Sequence, residues 1–154
     1  MVVSLVDVVY DNVTVYTGLA LGVATFFYAF QVYCDFSGYS DIARGVAKLL
    51  DIELMTNFKS PYFAASLKEF WSRWHISLST WFRDYVYIPL GGSRRGECRT
   101  QRNLLITFLV SGLWHGASWT YVIWGGLHGL GQIVEKMWNR RFPPKKERRS
   151  VIRV

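Results

Sequence analysis

The chain has 154 residues, 51% hydrophobic and 17% aromatic, with seven tryptophans and a positive mean hydropathy of +0.12. A soluble domain of this size would struggle to hide so many large apolar side chains without leaving adhesive patches, so the composition points to a membrane or membrane-interface protein. The formal net charge of +7 gathers in loops flanking apolar segments, as the positive-inside pattern describes, and no basic helix or RNA motif accompanies it, which argues against nucleic acid as a partner.

Residues 1–11 carry no basic stretch ahead of a short apolar core, so no secretory signal peptide is expected and insertion rests on internal spans. Residues 13–34 are uncharged and approach the roughly 20 residues that cross a hydrocarbon core as a helix. Gly18 and Gly22 within them form a small-xxx-small pair that lets another helix approach. Residues 35–103 read as a motif-bearing interfacial or re-entrant region. Asp35 and Asp41 frame its start, and Ser40 or Asp41 suits the cap of a helix over 42–50. A metal site or an active-site base is the alternative for the two carboxylates. Pro61 predicts a turn. Leu67, Phe70, Trp71, Trp74, Leu78 and Trp81 recur at helical spacing and predict one mixed aromatic and charged helix over 66–81. Residues 85–92 are apolar but short, and Pro89 with Gly91 and Gly92 stops them, as a re-entrant turn would require. Cys34 and Cys98 have no metal-like spacing, and their surroundings do not suggest a pair.

Residues 93–103 form a basic loop, and 135–154 a basic tail. If both face the cytoplasm, residues 104–134 must enter the membrane and return. They number about 31, whereas two full crossings need about 40. A broken or re-entrant hairpin, bending near Gly112, Gly116 or Gly125-Gly126, resolves the conflict. One long tilted span is the competing layout. The expected fold class is therefore all-α: polytopic membrane helices with re-entrant or interfacial segments, in one partial domain over 1–154.

His115, in Trp114-His115-Gly116, lies within the uncharged run. An imidazole is neutral and basic near pH 7, so it can take a proton from an alcohol. Ionisable groups at membrane depth usually mark a site, although a histidine tying two helices together has the same signature. His75 follows Trp74 in a second aromatic frame and faces either the same cavity or water. His128 lies 13 positions beyond His115, which on a continuous helix is roughly 20 Å, so it is expected to be structural. There is no HExxH, CxxC, Gly-x-Ser-x-Gly or P-loop pattern. Haem ligation by His75 and His115 would rest on aromatic surroundings alone.

Residues 70–85, followed by 87–92, resemble the first signature of the membrane-bound O-acyltransferases, and residues 111–119 resemble the second. Residues 33–41 match the pattern of the family's bacterial alginate O-acetyltransferase (AlgI-type) branch. The resemblance implies acyl transfer, of acetyl in this branch, from an activated donor such as acetyl-CoA or another acyl thioester to a hydroxyl. The implied acceptor is an extracytoplasmic polysaccharide such as alginate; D-alanyl transfer to teichoic acid and peptidoglycan O-acylation remain open. It implies His115 as the catalytic base and His75 as its companion, with Trp74, Trp114, Asp35, Arg83 and Asp84 as substrate contacts. No metal or bound cofactor is expected. The implied partners are the lipid bilayer and periplasmic acetylation proteins, and the implied location is the bacterial cytoplasmic (inner) membrane, spanned several times. Family members are several times longer, so this chain is expected to be a central portion of one. A non-catalytic membrane scaffold or export component is the competing class.

Overall fold

The computed structural model describes residues 2–143. They are helical with no strand among them, and they divide into two compact units, 1–58 and 59–154.

The first unit holds α1 (Val2–Asp11) and α2 (Gly18–Leu49). Val6 is buried, and the Tyr10 hydroxyl meets Thr25 Oγ1 at 3.0 Å while the Tyr10 and Tyr28 rings pack edge to face. The expected span over 13–34 begins later and runs further: α2 has 32 residues and is about 48 Å long. It is the one helix among the described residues long and apolar enough to cross a membrane. The expected cap at Ser40 or Asp41 is absent, because the helix passes straight through both. Asp, Ser and Gly inside a helix each cost about 1 kcal/mol or less, whereas a second helix would have to be nucleated anew. The actual stop is a Schellman turn: Asp51 adopts a left-handed conformation, its N–H donates to the Lys48 carbonyl, and the Ile52 N–H donates to the Ala47 carbonyl. The chain then returns so that Phe58 packs edge to face on Tyr33 and Phe36.

The second unit opens with a 3-10 turn, Pro61–Phe63, as Pro61 predicts. Ser66 then caps α3 (Leu67–Arg73), its Oγ accepting from the Glu69 N–H, and Glu69 reaches back to the Ala65 N–H. This is close to the reciprocal arrangement that a Ser-x-x-Glu sequence favours. The single helix expected over 66–81 is broken. His75 sits at φ 41°, ψ 58°, and α4 (Ile76–Phe82) starts after it. Apolar spacing continues through the break, which is why periodicity alone reads one helix. A π-helical turn, Arg83–Tyr87, leads into a loop in which Gly91 and Gly92 take positive φ.

Asn103 fixes that loop. It is 1% exposed, and its Nδ2 donates to the carbonyls of Leu90 at 3.1 Å and Gly92 at 3.0 Å. Asn103→Ala strands two carbonyls at a cost of about 1–3 kcal/mol each. The expected result is a clearly lowered thermal midpoint in detergent, with Asn103→Asp no better because a carboxylate cannot donate.

The basic segment 93–103 is a loop only as far as Gly96, since α5 (Glu97–His115) begins within it. Likewise α6 (Trp119–Arg141) extends into the expected tail; residues 144–154 of that tail lie outside the described residues. The hairpin forms, with its bend at Gly116. Its arms of 19 and 23 residues are about 28 and 34 Å long, because both helices extend into the basic flanks. Packing is antiparallel and close: Gly112 lies against the backbone of Tyr121, Gly125 against that of Phe108, and Gly129 against Leu105. At the open end Glu97 takes ion pairs from Lys136 and Arg140, which suits an acidic first turn beside a basic last turn.

Candidate active site

His115 is the last residue of α5, at the bend of the hairpin. Its ring meets Trp124 edge to face at 5.1 Å, stacks on Tyr121 at 6.0 Å, and contacts its neighbour Trp114 at 5.1 Å. Gly116 is required here on steric grounds, because a Cβ would lie 2.8 Å from the Tyr121 ring. The bend therefore ends α5 at the imidazole and folds α6 back beneath it.

His75 occupies the left-handed break between α3 and α4. Left-handed backbone in a non-glycine residue is uncommon and is enriched at functional sites. Nδ1 lies 3.4 Å from Ser77 Oγ, and Ser79 Oγ donates to the Trp74 carbonyl. Trp74 itself stacks on Phe70 at 5.6 Å. Burial, and then repulsion from His115, hold the His75 imidazole below its ordinary value of 6.5. His75 and His115 belong to the same unit, 59–154. The buried Phe82 ring, at the end of α4, contacts Trp114.

A depressed histidine pKa means that the folded state resists a proton the unfolded state accepts. Stability is then full above the unfolded value and falls as pH drops through it. The thermal midpoint in detergent is expected to decline from pH 7 toward pH 5, and His75→Gln to flatten that decline. An unchanged slope would contradict it.

The remaining expected contacts are distributed. Trp74 and Trp114 belong to the same unit as the two histidines, with Trp114 55% exposed. Arg83 and Asp84 are exposed and bind each other, Nε to Oδ1 at 2.7 Å and Nη2 to Oδ2 at 3.2 Å. Those bonds hold the Asp84 carboxyl below its usual value. Asp35 is exposed on α2, in the first unit. Cys34 and Cys98 are free thiols.

His128 lies nearer to His115 than expected. Its ring is 4.6 Å from Trp124, which also meets His115 at 5.1 Å. The two imidazoles therefore flank one indole, no more than about 10 Å apart. The estimate of roughly 20 Å assumed a continuous helix, and the bend at Gly116 removes that premise. Trp124 and His128 are four residues apart, the spacing of one helix face, and that was the available signal. Trp71 of α3 completes the cluster, edge to face with His128, Trp124 and Phe108. Its indole Nε1 is buried without a hydrogen-bond partner.

A family model described as the membrane-bound O-acyltransferase family matches residues 5–153. The chain is 52% identical over 124 residues to the probable alginate O-acetylase AlgI of Pseudomonas putida, covering 77% of this chain and 26% of that protein. It is 44% identical over 133 residues to the peptidoglycan O-acetyltransferase of Helicobacter pylori, covering 86% and 25%. To the teichoic acid D-alanyltransferase of Streptococcus thermophilus it is 39% identical over 121 residues, covering 74% and 29%. The chain thus spans about a quarter of the length of these curated relatives.

Proposed function

The chain belongs to the membrane-bound O-acyltransferase family, and from that premise we propose that it carries the catalytic centre of an enzyme that O-acetylates an extracytoplasmic polysaccharide such as alginate. The observation that carries this reading is the hairpin bend, where His115 ends α5, together with a second histidine held in the left-handed break between α3 and α4 of the same unit. Both lie in the segments that resemble the family's signatures.

The chemistry follows from what two imidazoles can do. His115 accepts the proton of the acceptor hydroxyl as its oxygen attacks the acyl carbonyl of a thioester donor such as acetyl-CoA. The C–O bond forms, the tetrahedral intermediate collapses, the C–S bond breaks, and the proton on His115 passes to the departing thiolate. His75 donates a hydrogen bond to the oxygen on which charge develops. The neutral imidazole, which its depressed pKa favours, keeps one N–H for that bond. Trp74 and Trp114 would wall the reacting groups, with Arg83 and Asp84 as further substrate contacts.

The identities to alginate O-acetylases support acetyl transfer to a polysaccharide. The wider similarities leave peptidoglycan and teichoic acid as alternative acceptors. In this reading the enzyme spans the inner membrane several times, takes the donor from the cytoplasm and works with periplasmic acetylation proteins. The direct test is the mass spectrum of the exopolysaccharide from a strain deleted for the full-length gene. Loss of acetyl groups, restored by the gene on a plasmid, is the expected result. An unchanged polymer refutes the assignment.

A further inference from the structure

α3 is seven residues long, too short to hold itself in place, yet its last turn leads directly into His75. The segment before it holds its last turn, where the Lys59 N–H donates to the Arg73 carbonyl at 3.0 Å, and α6 holds the rest. Along one face of α6, Trp124 and His128 meet Trp71 of α3. One turn on, Gly131 lies so close to Leu67 that a Cβ there would be 2.8 Å from Leu67 Cδ1. A further turn on, the Glu135 carboxylate accepts from the first two N–H groups of α3, Leu67 at 3.1 Å and Lys68 at 3.3 Å. These positions, 124, 128, 131 and 135, follow helical spacing along a single stripe.

The ring contacts and the glycine gap set how closely α3 approaches α6, but neither is strongly directional. The two hydrogen bonds are directional, and they fall on the opposite end of α3 from His75. We infer that Glu135 is a positioning residue for His75, setting the height and rotation of α3 and thereby the placement of the imidazole. Ser66 satisfies the Glu69 N–H, so Glu135 is the group that takes the two donors before it. A carboxylate also complements the positive end of the helix.

This inference rests on the role given to His75 above. The test uses the full-length chain in membranes, with acetyl-CoA as donor and alginate oligosaccharides as acceptor. A misplacement of about 1 Å can cost on the order of a hundredfold in rate, so Glu135→Ala is expected to lower kcat by tenfold or more, with KM for acetyl-CoA unchanged. Glu135→Gln keeps one acceptor oxygen and is expected to recover most of the turnover. Should the alanine variant fail to accumulate, the smaller loss in Glu135→Gln is measured in its place. In a His75→Ala background, either change is expected to add less than about twofold, because residues acting through one another are not additive. Independent, multiplying losses overturn the inference while leaving the proposed function standing. Full turnover by His75→Ala overturns the inference together with the role given to His75.

Discussion

His115→Phe is expected to lower acyl transfer by about a hundredfold to ten-thousandfold, the usual contribution of a positioned general base, while the protein accumulates in the membrane at its normal level. Phenylalanine is the informative choice. The His115 ring contacts Trp114, Tyr121 and Trp124, so alanine would remove packing and chemistry together. Phenylalanine keeps an aromatic ring between those partners and removes only the nitrogens. A scaffold in which the histidine merely ties two helices together tolerates that exchange, and acetylation of the polymer then stays near normal. A catalytic base does not. Acetyl content by mass spectrometry and protein level by immunoblot give the two readouts. Normal acetylation with His115→Phe sinks the catalytic assignment, whereas loss of acetylation at normal level excludes the scaffold.

Much of this arrangement is legible in the residues because the signals are local or topological. The hairpin follows from a shortage of length between two basic flanks, and Gly116 is among its expected hinges. The turn at Pro61 rests on stereochemistry confined to a few neighbours. What the residues do not announce depends on contacts distant in the chain. The break at His75 leaves the apolar spacing of 66–81 intact, and α3 is held by Glu135, 67 and 68 positions away. Asp35, Ser40 and Asp41 look like punctuation but lie inside α2, since nothing nearby makes stopping cheaper than continuing. His128 lies nearer His115 than a continuous helix allows, because that distance depends on a bend whose place the residues leave open among several glycines.

The hairpin also offers a matched pair of adjacent glycines with opposite expectations. A Cβ on Gly125 would lie 2.3 Å from the Phe108 carbonyl oxygen and 3.2 Å from the Gly112 Cα. A Cβ on Gly126 would meet only Leu109 Cδ2, at an ordinary 3.5 Å. Both glycines sit in the interior of α6, so alanine gains about 1 kcal/mol of helix propensity at either position. At Gly126 that gain stands nearly alone, and Gly126→Ala is expected to be neutral or stabilising. At Gly125 the clash is with backbone, which cannot swing aside as a side-chain tip can. The helices must separate, and overpacking of this kind costs about 1–3 kcal/mol or more. Small residues matter especially between helices in a membrane, where close van der Waals approach replaces the hydrophobic effect as the attractive force. Separation at Gly125 would also draw Trp124 away from His115 and His128, so activity should fall further than stability alone explains. The expected result is a lowered thermal midpoint and strongly reduced acyl transfer for Gly125→Ala, with Gly126→Ala at or above the parent in both. Equal behaviour of the two variants would mean that the close approach of α5 and α6 does not hold the site.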